Sequence, residues 1–373
     1  MVTTDPNARY RYAQAPLRVY WEVTRACDLT CLHCRAEAMP EAHPEELSTA
    51  EGRALIDQVS RFGSTPPRLV LTGGDPLKRD DLFELIAYAG ARGMGVSVAP
   101  SATPLLTAEA LRRLKDAGVE AISLSLDAAD APTHDAIRGI PGTFARTCDA
   151  ARVAAAIGLP FQVNTLVCAR TVDQLPALLD LVQDLGAPRW SLFFLVSVGR
   201  GELLEPISPQ RAEDLLRWLA ARRGQALARG LVISTTEAPQ LRRVIAERAA
   251  PPLPSPPNPQ APNTLARHPA VAHGAGIRDG NGVLFISHRG DICPSGFLEL
   301  AAGNVRRDDL GAVYRDAPLF TALRDPDGFG GRCGLCPFRW PCGGSRARAY
   351  AASGDILGED PLCAWQPGAG PVR

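Results

Sequence analysis

The sequence predicts an α/β fold, a partial (β/α)6 barrel followed by a small cysteine-rich domain, and three observations carry that prediction. Six short apolar runs alternate with longer helical patterns from Leu17 to about Thr235. A stretch reading AAPPLPSPPNPQAPN at 249–263 is too rich in proline for a helix or an interior strand. Beyond it the chain turns to Gly, Pro and Cys with little periodicity. At 373 residues the chain exceeds one domain of ordinary size, so we expect a core at 1–248, a linker at 249–274 and a tail domain at 275–373.

The strand candidates, in order, are Leu17–Val23, Arg68–Leu71, Gly95–Ala99, Ala121–Leu126, Pro160–Leu166 and Arg189–Val196. The segments between them carry helix start signals: Ser48 with Glu51 three residues on forms a capping box, and Ser208 precedes Pro209 at a first helical position. Strands joined by crossover helices pair in parallel, as a wound sheet or as an incomplete barrel. The barrel is the expectation, and it gathers functional loops at the C-terminal ends of the strands. In the tail, Gly282–Ile286 and Arg289–Cys293 read as a hairpin, and the segment from Gly328 to Cys363 must be held by something other than a large apolar core.

Composition narrows the function. Forty Lys plus Arg balance forty Asp plus Glu, so charge alone gives no support for a nucleic-acid or membrane-surface partner. A hydrophobic fraction of 46% and a charged fraction of 21% exclude wholesale disorder and collagen-like or coiled-coil chains. No run reaches the ~18 apolar residues of a membrane span, and Met1–Tyr12 lacks the apolar stretch of a secretory signal, so the expected location is the cytoplasm. In a reducing compartment, grouped cysteines hold metal or do redox chemistry.

Two groups stand out among the ten cysteines. Cys27, Cys31 and Cys34, spaced CxxxCxxC just after the first strand, are too few for a structural tetrahedral zinc site. They suit a [4Fe–4S] cluster with one iron left open for a substrate or cofactor. Cys333, Cys336, Cys342 and Cys363 supply four thiolates, a closed site that zinc fits as well as iron. Cys148 and Cys168 read as ordinary buried residues.

The three-cysteine pattern, with His33 at a position usually aromatic or histidine, resembles the radical S-adenosylmethionine (SAM) superfamily. The resemblance implies a SAM-binding [4Fe–4S] cluster, reductive cleavage of SAM to a 5′-deoxyadenosyl radical, and an electron donor such as flavodoxin or ferredoxin. Gly73-Gly74-Asp75-Pro76 is similar to the family's Gly-Gly-Glu-Pro segment, which holds the SAM amino group, with Asp75 one methylene shorter. Ser125 and Arg138, in a segment similar to one that relatives use at the SAM ribose and carboxylate, and Asn164 on the fifth strand complete the implied SAM contacts. Asp127 is expected to cap the next turn, His134 to be catalytic or a solvated loop residue, and Leu195 and Val196 to be core.

The tail, CPFRWPCGGSRARAYAASGDILGEDPLC, resembles that of the SPASM/twitch-type subgroup, most closely the enzymes of heme d1 biosynthesis and the siroheme-dependent heme synthases. That resemblance implies one auxiliary [4Fe–4S] cluster on the four tail cysteines, with Arg346 where a larger pattern has a further cysteine and with Cys293 outside the ligand set. The implied reaction is oxidative removal or decarboxylation of tetrapyrrole propionates, with Arg170, Arg200 and Arg346 as candidates to hold them. A ribosomally made precursor peptide is the alternative substrate, and a non-enzymatic iron–sulfur or zinc scaffold a third reading.

Overall fold

A computed structural model describes residues 12–249 and 277–368. All six expected strands form: β1 (Arg18–Thr24), β2 (Arg68–Gly73), β3 (Val96–Val98), β4 (Val119–Ser125), β5 (Phe161–Val167) and β6 (Arg189–Phe194). A seventh, β7 (Val232–Thr236), was not expected, because its VISTT sequence has only two apolar residues to signal it. These seven strands pair in parallel in chain order, each with its successor. The sheet ends at β7 without closing, which makes the barrel a partial one.

The crossover helices are α1 (Thr49–Ser60), α2 (Leu82–Ala91), α3 (Ala108–Asp116), α4 (Ala131–Arg138), α5 (Thr143–Ile157), α6 (Leu175–Asp184) and α7 (Pro209–Ala228). α1 begins with the expected capping box: Ser48 Oγ accepts from the Glu51 amide and the Glu51 carboxylate accepts from the Ser48 amide. It lies close to β1 because Gly52 has no side chain there; a Cβ would stand 2.6 Å from the buried Trp21 ring. After β7 comes α8 (Gln240–Ala249), and the expected linker, but for Ala249, lies outside the described residues.

The expected hairpin forms as β8 (Val283–Ile286) and β9 (Asp291–Cys293), and the short β10 (Gly303–Asn304) pairs antiparallel to β9. β8 pairs in parallel with β1, so the hairpin extends the barrel's own sheet. Four short helices complete the tail: α9 (Leu310–Asp316), α10 (Pro318–Arg324), α11 (Gly331–Leu335) and α12 (Arg346–Ser353). Leu310, Tyr314 and Phe320 join the same apolar core as Val19 and Trp21, so the first half of the tail does have a large core behind it. Among the described residues no helix is long and apolar enough to cross a membrane.

Candidate active site and four-cysteine centre

The C-terminal ends of β1 to β6 surround a cavity of about 230 Å³. Alternation along the strands builds its wall: Ser123 and Ser125 face in, while Leu124 packs in the core. Cys27, Cys31 and Cys34, on the loop after β1, line the cavity together, with Cys27 and Cys31 buried. Each sulfur has a polar neighbour. The Leu29 amide donates to Cys27 Sγ (3.4 Å), Arg138 Nη1 to Cys31 Sγ (3.8 Å) and the Ala38 amide to Cys34 Sγ (3.4 Å). Burial, which disfavours the thiolate, pushes the Cys27 and Cys31 thiols up.

Three glycine contacts press this loop into place, a role the sequence did not show. A Cβ on Gly74 would stand 2.4 Å from the Ala26 carbonyl, and one on Gly139 would stand 2.1 Å from Thr30 Oγ1. A Cβ on Gly199 would stand 2.8 Å from the Cys34 carbonyl. Gly139, the C-cap of α4, has φ +76°, a conformation that glycine adopts without cost.

Gly73, Gly74, Ser125, Arg138 and Asn164 all line the cavity, but Asp75 does not. The Asp75 carboxylate is fully buried and is consumed locally, accepting from Thr103 Oγ1 (2.7 Å) and from the amides of Leu77 (3.1 Å) and Ser101 (3.3 Å). It caps the turn after β2. Asp127 is not a cap; that part falls to Asp130, which accepts from the Thr133 amide and starts α4. Asp127 is buried, accepts from the Leu166 amide (2.9 Å) and pairs with Arg138 Nη2 (2.7 Å). Burial opposes its ionisation, but Arg138 and then the neighbouring histidines outweigh that and hold its carboxyl below the usual range.

His134 is no solvated loop residue: it is fully buried, lines the cavity, and its Nδ1 accepts from the Asp127 amide (3.1 Å). Burial pushes both His33 and His134 down to about 4, so both rings are neutral at pH 7. His33 Nδ1, His134 Nε2 and Arg138 Nε are buried without a hydrogen-bond partner, a concentration of unspent polar atoms beside three thiols. Leu195 and Val196 leave the end of β6 buried, as expected, and also form part of the cavity wall.

The arginines expected to hold a carboxylate are elsewhere. Arg170 is exposed and Arg200 half-buried, and neither lines the cavity. Arg346 is fully buried, donates to the carbonyls of Ile356 (3.2 Å) and Gly358 (2.7 Å), and lies over the Phe329 ring at 4.4 Å. Arg35 and Arg138 are the arginines that line the cavity among the described residues. Arg35 was missed, although it directly follows Cys34.

Cys333, Cys336, Cys342 and Cys363 converge on a second, small cavity, against which Arg243, Arg332 and Asp360 also pack. All ten cysteines are free thiols. Burial pushes Cys336 up to about 12, Cys363 to about 11, and raises Cys342, with the neighbouring tail thiolates adding to each shift. Cys333 Sγ accepts from the Asp360 amide (3.4 Å) and from Arg346 Nη2 (3.5 Å), so Arg346 serves this centre. Cys293 lies apart from it, on β9.

One residue joins the two sites. Arg348 Nη1 pairs with the buried Asp360 (3.0 Å), Nε donates to the Leu195 carbonyl (3.2 Å) and Nη2 to that of Glu237 (2.6 Å). The four-cysteine centre is thereby tied to the backbone end of β6 that forms the first cavity's wall.

Comparison with known proteins agrees with this geometry. The family model described as the radical SAM superfamily matches residues 21–182. The chain is 36% identical to the AdoMet-dependent heme synthase of Methanosarcina barkeri, over 95% of this chain and 98% of that one. It is 38% identical to that of Nitratidesulfovibrio vulgaris, over 94% and 92%. Among solved structures, Streptococcus suis SuiB bound to its precursor peptide SuiA shares the fold with a TM-score of 0.70 at 16% identity, over 94% of this chain and 76% of that one. A thiol trio on the loop after β1, set at the C-terminal mouth of a partial barrel that relatives match nearly end to end, places this chain in the radical SAM superfamily as one of its enzymes.

Proposed function

We propose that the chain oxidises propionate side chains of a tetrapyrrole, removing or decarboxylating them in heme-type biosynthesis. The observation that carries this is the identity with heme synthases that extends through the cysteine-rich tail as well as the barrel. Similarity to PqqA peptide cyclases is lower, at 26% and 28% identity against 36% and 38%, and similarity to SuiB rests on the fold. When bound, the [4Fe–4S] cluster and SAM of this superfamily supply a 5′-deoxyadenosyl radical that takes a hydrogen atom from the substrate.

The residues present fit both groups. Three free thiols at the cavity give a cluster three ligands and leave one iron open. The unspent nitrogens of His33, His134 and Arg138 and the backbone of Gly73 and Gly74 offer polar partners to SAM, with Ser125 and Asn164 on the neighbouring strands. Arg138, steadied by Asp127, orients its guanidinium between Cys31 and the cavity. Phe193, Phe297, Leu195 and Val196 make the opposite wall apolar and exclude the water that would quench a radical.

Decarboxylating a propionate to a vinyl group releases carbon dioxide, one hydrogen atom and one further electron. That electron needs an acceptor, and Cys333, Cys336, Cys342 and Cys363 are the residues to hold one, an auxiliary [4Fe–4S] cluster. The ten free thiols suit a cytoplasmic setting, with a reducing donor such as flavodoxin or ferredoxin. Anaerobic reconstitution tests the cofactor set: two cubanes give about eight irons per chain, and about four irons with one zinc removes the auxiliary cluster. Iron coproporphyrin should shift its Soret band on binding and lose propionate mass in the presence of SAM and dithionite. Absence of both, with modification of a precursor peptide instead, would transfer the proposal to the peptide substrate.

A further inference from the structure

We propose that Arg35 is the receptor for a substrate carboxylate and that Glu299 is the placeholder it displaces; this rests on the tetrapyrrole reading above. Of the two arginines that line the cavity, Arg138 commits Nη2 to Asp127 and Nη1 to Cys31. Arg35 lines the same cavity as Phe297. Its guanidinium carbon stands 4.6 Å from the centroid of the Phe285 ring. A Cβ on Gly296 would stand 2.9 Å from Nε, 3.0 Å from Cζ and 3.2 Å from the Phe285 ring, so glycine there leaves room for the stacked pair. A cation held in this way is preorganised for a planar carboxylate.

Arg35 Nη1 carries two carboxylates, one more than its charge requires. Glu22 Oε1 lies 3.2 Å away and Glu299 Oε1 3.0 Å away. The two differ in how firmly they are fixed. The Glu22 side chain is 2% exposed and is held from behind by His288, whose Nδ1 lies 2.7 Å from Oε2. Glu299 is 41% exposed; burial works against its ionisation, Arg35 favours it and the charge of Glu22 again opposes it, with a net rise. Glu22 therefore neutralises the guanidinium permanently, while Glu299 can swing into water.

A substrate carboxylate that replaces Glu299 leaves the charge of the site unchanged, so the exchange carries no added Coulomb cost. The occupant is an apolar body with a carboxylate at its edge: the body rests on Phe193 and Phe297, whose rings stand 6.4 Å apart, and the carboxylate reaches Arg35. Propionates on a porphyrin have that form.

The test is a Soret-monitored titration of the anaerobically reconstituted enzyme with iron coproporphyrin and with its tetramethyl ester, iron content being read in parallel. Wild type should favour the acid over the ester, Arg35→Gln should weaken acid binding by about tenfold and erase that preference, and Glu299→Gln should tighten acid binding. An Arg35→Gln protein that keeps the wild-type preference overturns the proposal and leaves the tetrapyrrole reading intact. If that variant fails to retain iron, Glu299→Gln decides alone: tighter acid binding supports the placeholder, and unchanged or weaker binding refutes it. Wild type that binds neither compound removes the tetrapyrrole reading and this proposal with it.

Discussion

Gly139→Ala should disable the cysteine loop from outside it. The added Cβ would stand 2.1 Å from Thr30 Oγ1 and 2.9 Å from the Thr30 carbonyl, and Thr30 sits in the turn between Cys27 and Cys31. Two costs add: about 1–2 kcal/mol for a side chain at φ +76°, and about 1–3 kcal/mol to move the turn aside. We expect a total of roughly 2–5 kcal/mol in urea unfolding of the apoprotein, with SAM cleavage falling further than stability because Cys27 and Cys31 move with the turn. The closest contact is a side-chain oxygen, so adding Thr30→Ala should relieve that overlap and leave about 1–2 kcal/mol of backbone strain together with the 2.9 Å approach to the Thr30 carbonyl. Gly199→Ala meets backbone carbonyls of Cys34 and Arg35, so no side-chain trimming rescues it. Stability of Gly139→Ala equal to wild type, or a double variant no better than the single one, would refute the reasoning.

Other outcomes rest on the same geometry. Burial and then Asp279 push the Glu237 carboxyl up from 4.5 to about 8, so the folded protein keeps a proton that the unfolded chain releases near 4.5. Stability should fall as pH rises through that window, and Glu237→Gln should flatten the fall; urea midpoints at pH 6 and pH 9 that change in parallel with wild type would contradict this. His134 has the opposite sign. Held down to about 4, it contributes stability that is complete above 6.5 and drains as pH falls toward 4, and His134→Asn should remove that share, read by acid unfolding of the apoprotein. Arg348→Met leaves Asp360 buried and unpaired, which should cost about 3–5 kcal/mol and loosen iron retention at the four-cysteine centre; wild-type iron content and stability would count against the link. Cys34→Ala should abolish SAM cleavage, whereas Cys363→Ala should impair turnover yet leave uncoupled cleavage; equal loss of cleavage in two folded proteins would overturn the division of roles.

Local signals carried far along this chain. Apolar runs at strand spacing placed β1 to β6, because the alternate residues of each strand that pack into the core must be apolar. β7 escaped because an edge strand with hydroxyl residues needs no such run. The cysteine spacings and the Gly-Gly turn showed where the site is, since thiols that share a cluster must come from a short loop or a compact tail. Roles that depend on what stands opposite were hidden. Asp75 lies in the expected turn, but the carboxylate caps it and points away from the cavity. Arg346 reads as a free cation and is spent on two carbonyls and a thiol. Glu22, a charge inside an apolar strand, was a visible anomaly whose partners, Arg35 and His288, lie 13 and 266 residues away.

The sequence by itself determined the class of chemistry and the elements that frame it, because ligand spacing and hydrophobic period are properties of adjacent residues. Only the tertiary structure decided that β8 extends the barrel sheet through β1, that Arg348 joins the two thiol sites, and that Arg35 rather than Arg170, Arg200 or Arg346 faces the cavity. Those outcomes depend on which buried charge finds which partner, and a guanidinium is drawn to carboxylates and carbonyls by their position in space, which the order of residues along the chain does not show.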